Sequence, residues 1–144
     1  MEGDGRMSLT TTKKIRLFAG SRKSARATAS IMPGIGRIRF NGFLVESLPN
    51  ELQREVILTP LRLAGEYRYK VDIDVTCKGG GYMGQAYAAA MAIARALVAY
   101  TKSSDLKKKI IKYDKHLLTG DPRQTEPKKF GGPGARRRRQ KSYR

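Results

Sequence analysis

The stretch YKVDIDVTCKGGGYMGQAYAAAMAIARALVAYT, from Tyr69 to Thr101, decides the fold. Its first part alternates. Val71, Ile73, Val75 and Cys77 project to one side, and Lys70, Asp72, Asp74, Thr76 and Lys78 to the other. A period of two marks a strand with one face on a core. Gly79, Gly80 and Gly81 end the strand. The sequence then turns to alanine, the best helix former, with Arg95 its only charge, which predicts a helix from Gly84 to Tyr100. Ala86, Ala88, Ala89, Ala90, Ala92, Ala94, Ala96 and Ala99 are small enough to let that helix lie close to its neighbour. We expect it to cross the apolar face of the sheet as the central helix.

Composition narrows the rest. A chain of 144 residues with 40% hydrophobic side chains accommodates one modest core plus appendages. Thirty Lys and Arg against twelve Asp and Glu give a formal net charge of +18, which makes the compact chain repel itself. A polyanion relieves that repulsion, and nucleic acid is the first candidate. An anionic membrane fits less well, because no apolar run reaches spanning length. Cys77 is the sole cysteine; it excludes an intramolecular disulfide and reads as a small core residue. The first residues are polar and lack an apolar signal segment, so a cytosolic protein is expected. Met1 and Met7 are both candidate starts.

Working back from the central stretch, residues 1–12 read as a flexible leader and residues 13–118 as a globular domain. Lys13 to Ala19 begins a strand with Ile15 and Leu17 on its apolar side. GSRKSARA, Gly20 to Ala27, is a basic segment crossing to a second strand piece at Thr28. Pro33-Gly34, Gly36 and Asn41-Gly42 mark turns around a short strand, Arg37 to Phe40. Asn50 reads as an N-cap with Gln53 at N3, opening a helix to about Leu58 that buries Leu52 and Val56. Thr59-Pro60 restarts a helix that Gly65 ends. Ser104-Asp105 opens another, with Leu106, Ile110, Tyr113 and Leu117 as its apolar stripe.

From Thr119 to Arg144 aliphatic residues disappear. Lys128, Lys129, Arg136, Arg137, Arg138, Arg139, Lys141 and Arg144 supply eight cations, and no acid follows Glu126. Alone, such a segment cannot offset its ordering entropy. Guanidinium groups match phosphate oxygens bidentately, and Phe130 and Tyr143 offer faces for bases. Engagement of all eight cations predicts a salt exponent on the order of 6. Arg22, Lys23 and Arg26, set among small residues, form a second group that can hold a sugar-phosphate backbone.

Enzymatic readings find less. The loop from Gly79 to Gln85 follows a strand and opens a helix, but Gly84-Gln85-Ala86 stands where a P-loop needs Gly-Lys-Ser/Thr. Close strand-to-helix packing explains the glycines more simply. His116 is the only histidine, Asp72 and Asp74 lie beside Lys70 and Lys78 as simple charge pairs, and no spacing matches a metal site. No catalytic residue, metal or cofactor is expected.

GGGYMGQAYAAAMAIARAL, from Gly79 to Leu97, resembles the signature of small-subunit ribosomal protein nine, the universal S-nine family, through Gly84, Gln85, Ala88, Ala92, Arg95, Ala96 and Leu97. GSRKSARA, LLTGDPRQTEPKK (Leu117 to Lys129) and ARRRRQKSYR (Ala135 to Arg144) resemble its other segments. The ending Ser142-Tyr143-Arg144 is similar to the archaeal and eukaryotic cytosolic form. The resemblance implies a two-layer α+β sheet-and-helix domain of the ribosomal S-five-domain-two type, with a left-handed crossover and an extended basic C-terminal tail over residues 119–144. It implies a structural component of the small ribosomal subunit on ribosomal RNA in the subunit head, beside neighbouring head proteins and without self-association. The tail would thread toward the peptidyl site, where Lys141, Ser142, Tyr143 and Arg144 touch transfer RNA. Two other classes are an RNA-modifying enzyme that uses the glycine loop and a free nucleic-acid-packaging protein.

Overall fold

The structure, a computed structural model, describes residues 15–143. Residues 1–12, Lys13, Lys14 and Arg144 lie outside the described residues. The strands are β1 (Arg16–Arg22), β2 (Ala25–Pro33), β3 (Ile38–Phe40), β4 (Phe43–Leu44) and β5 (Val71–Lys78). The helices are α1 (Glu51–Ala64), α2 (Tyr82–Thr101), α3 (Ser104–Tyr113) and the short α4 (His116–Thr119). The strands form one five-stranded sheet in the order β1-β2-β5-β3-β4. Neighbours run antiparallel except β3 and β5. That parallel pair requires a crossover, and the chain makes it through α1. The protein is therefore of the α+β class.

The central stretch folds as its pattern predicts. Val71, Ile73, Val75 and Cys77 are buried under α2. The helix begins at Tyr82, two residues before the expected start. Its alanines are almost wholly buried and allow a very close approach to the sheet. Gly20 completes the fit, because a Cβ there would overlap the Ala88 carbonyl oxygen and lie 2.7 Å from the Ala92 nitrogen. Gly20 thereby fixes the parity of β1. Phe18 and Gly20 face the helix, while Ile15 and Leu17, expected inside, are exposed.

Four further expectations are corrected. GSRKSARA does join two strands, but most of it lies within them: Gly20 to Arg22 belong to β1 and Ala25 to Ala27 to β2, closed as an antiparallel hairpin with Arg22 paired to Ala25 across Lys23 and Ser24. Helix α1 runs unbroken through Pro60, whose ring is fully buried, and its inner face is Gln53, Ile57, Pro60, Leu61 and Ala64. Leu52 is exposed and Val56 only partly buried. Asn50 does cap this helix, accepting from the Gln53 N–H at 3.3 Å. Asp72 does not rest on a lysine. Its Oδ1 accepts the backbone N–H groups of Ile35, Gly36 and Arg37 at 2.9–3.0 Å, tying the β2–β3 turn to β5. In α3, Leu106 and Ile110 enter the core but Tyr113 is exposed, because Asp114 ends the helix and Leu117 reaches the core from α4.

Candidate nucleic-acid interface

The hairpin tip gathers Arg22, Lys23 and Arg26 within one turn, with Lys23 in the left-handed region at φ 52°. Their roles diverge. Arg22 turns inward, donating to Asp121 Oδ2 at 2.8 Å and covering the Tyr87 ring at 4.8 Å. Lys23 and Arg26 remain exposed, and Arg26 Nη1 donates to the Lys23 carbonyl. An open cleft of about 300 Å³ separates this tip from the start of α2, with Tyr82 and Tyr87 on its far wall. The glycine loop below it is closely packed. A Cβ at Gly79 would lie 2.7 Å from the Ser24 carbonyl oxygen, and Gly79 and Gly80 both have positive φ. Those glycines serve the approach of hairpin to helix.

Asp121, which the sequence presents only as part of a pattern break, proves to be the root of the tail. Its side chain is 2% exposed. Arg123 donates to it through Nε, Nη2 and the backbone N–H, and Arg22 through Nη1. These donors hold the carboxyl well below the usual carboxylate range. Residues 22 and 121 also form a parallel bridge. Nearby, Arg95 donates to the Leu118 carbonyl at 3.0 Å and to the Ala19 carbonyl at 2.7 Å. His116 Nδ1 lies 3.1 Å from the Gly120 carbonyl oxygen. The tail thus leaves the body from the hairpin tip, which places both predicted cationic groups along one path.

Beyond Asp121 the described residues contain no helix or extended strand. Lys128, Lys129, Arg136, Arg137, Arg138, Arg139, Lys141, Ser142 and Tyr143 are all exposed. The chain nevertheless bends back on itself. Glu126 accepts both arms of Arg136 at 2.8 and 2.9 Å, which lowers the carboxyl's pKa. The Arg139 N–H donates to the Gly131 carbonyl at 3.1 Å, and Arg138 to the Phe130 carbonyl. Among the described residues no group of His, Cys, Asp and Glu could hold a metal ion, and no helix is long and apolar enough to cross a membrane.

These features define a small α+β scaffold that presents cations from a hairpin tip and from a terminal segment without helix or extended strand among its described residues. A family model described as ribosomal protein S9/S16 matches residues 20–144. The small ribosomal subunit protein uS9 of Pyrobaculum aerophilum is 51% identical over 136 residues, covering 94% of this chain and 96% of its own. That of Desulfurococcus amylolyticus is 51% identical over 140 residues, 96% of this chain and all of its own. That of Saccharolobus solfataricus is 47% identical over 137 residues, 94% of this chain and all of its own. The chain belongs to the small-subunit ribosomal protein nine family. It is a structural constituent of the ribosome and not an enzyme.

Proposed function

We propose that this protein stands on ribosomal RNA in the head of the small subunit, in the cytoplasm, and extends its tail to transfer RNA at the peptidyl site. The body acts as a rigid base, and the parallel β3–β5 crossover through α1 suits a fold of the ribosomal S-five-domain-two type. Its boundaries fall near residues 13–118 and 119–144, with 1–12 as a leader. Lys23 and Arg26 hold backbone phosphates, and Arg22 joins them while steadying the tail root. Lys128, Lys129 and Arg136 to Arg139 lie along RNA. Lys141, Ser142, Tyr143 and Arg144 meet the transfer RNA. Neighbouring head proteins complete the setting, with no self-association.

One observation carries this reading: the cations from Lys128 to Lys141 lie outside the core, exposed, in a segment without a single acid. Phosphate contacts position a partner without reading its sequence, as a site open to every transfer RNA requires. Deleting residues 141–144 should weaken peptidyl-site occupancy while small subunits still assemble. Filter binding of transfer RNA to purified subunits measures this, and undiminished occupancy in the truncated particles sinks the proposal.

A further inference from the structure

The tail curves around an open concavity of about 460 Å³ whose wall includes Lys128, Arg137, Arg138 and Arg139. No carboxylate lines it, because Glu126 is engaged by Arg136 outside it. Four cations around one hollow repel one another, and flexible chain would disperse them. Here the chain is closed. The two-armed Glu126–Arg136 pair joins residues ten apart, and the Arg139 N–H and the Arg138 side chain bond back to Gly131 and Phe130. The turn between them admits no side chain at Gly132, where a Cβ would overlap the Arg137 carbonyl and lie 2.8 Å from the Arg138 Cα. Gly131 has φ 89°, the left-handed region that favours glycine.

We infer that residues 126–139 form a preshaped cradle for one bend of an RNA phosphodiester backbone, so that part of the tail recognises shape and not charge alone. A hollow of one sign focuses the field on an entering anion. A loop already bent loses less entropy when it binds. The four guanidinium and ammonium groups supply hydrogen bonds to phosphate oxygens from several directions, as a bend in the backbone requires. The inference rests on the reading that the tail binds RNA, and it adds that Glu126, an acid, assists that binding by holding the loop.

Shape and charge predict opposite results for one variant. Glu126→Gln raises the net charge by one, so binding through charge alone becomes tighter. Opening the cradle instead weakens binding, by about threefold for an exposed ion pair. Gly132→Ala leaves the charge unchanged and should weaken binding about tenfold, because the loop cannot close around the added methyl. Fluorescence anisotropy of a labelled oligouridylate, titrated with the full chain at fixed salt, reads both values. Thermal unfolding of each variant checks that the body is intact. Gly132→Ala binding as tightly as the parent, or Glu126→Gln binding more tightly, overturns the cradle. A third chain with Arg137, Arg138 and Arg139 all changed to Ala separates the two layers of the argument. Unchanged affinity there removes RNA binding by the tail itself. Weakened affinity there, beside a full-strength Gly132→Ala, removes the cradle alone.

Discussion

In the body, α2 meets the sheet through alanines and Gly20, and nearly every buried side chain is apolar. In the tail, by contrast, closure comes from a carboxylate on a guanidinium and from side chains on backbone carbonyls, all in view of solvent. The first kind of closure depends on excluded water and tolerates salt. The second is screened by salt and contributes little per contact. One chain thereby joins a rigid base to an arm whose shape rests on exposed polar contacts.

The comparison breaks most severely if the core is hollowed. Ile73 is fully buried on the strand beneath α2. Ile73→Ala should lower the stability of the body by about 2–5 kcal/mol, read from urea unfolding. Binding of oligouridylate below the unfolding transition should change little. A parallel loss of affinity would mean that the arm depends on core packing. A smaller effect follows from overfilling the contact. Gly20→Ala places a methyl where the α2 backbone lies, and the helix must move. The expected cost is about 1–3 kcal/mol by the same measurement. A neutral result would show that the helix–sheet spacing is less tight than its alanines suggest.

The same contrast explains what could be read from residue order. β5 and α2 were legible because each carries an uninterrupted period, two for the strand and alanine-rich helix for the next twenty residues. The parity of β1 was not. Ile15 and Leu17 look like core residues, yet the deciding residue is Gly20, whose lack of a side chain gives no hydrophobic signal. The inner face of α1 is hidden for a related reason. Pro60 suggests a restart, but its ring packs inside the core and the helix continues around it. In the tail, composition announced the cations. The pairing of Glu126 with Arg136 spans ten residues with no periodicity, so only the folded path reveals it. Asp121 was hidden because Gly-Asp-Pro reads as a turn, while its partner Arg22 lies 99 residues earlier.

Asp121 joins the two regions, and pH tests to which of them it belongs. Its carboxyl is depressed by Arg123 and Arg22. A group with a lowered folded pKa contributes stability that is fully present above its unfolded value, about 3.9, and is lost as pH falls through the folded value. Asp121→Asn removes that contribution. The variant should unfold at lower urea than the parent at pH 7, and the gap should narrow as the pH drops below about 4. Some acid sensitivity persists in both, since Asp72 is likewise depressed by the N–H groups of Arg37, Ile35 and Gly36. If the midpoints at pH 7 coincide, the Arg22–Asp121 contact lies outside the cooperative unit and the tail is loose from its root. If they differ and converge in acid, the body holds its arm at Asp121, and the division between packed and charge-closed chain falls after that residue.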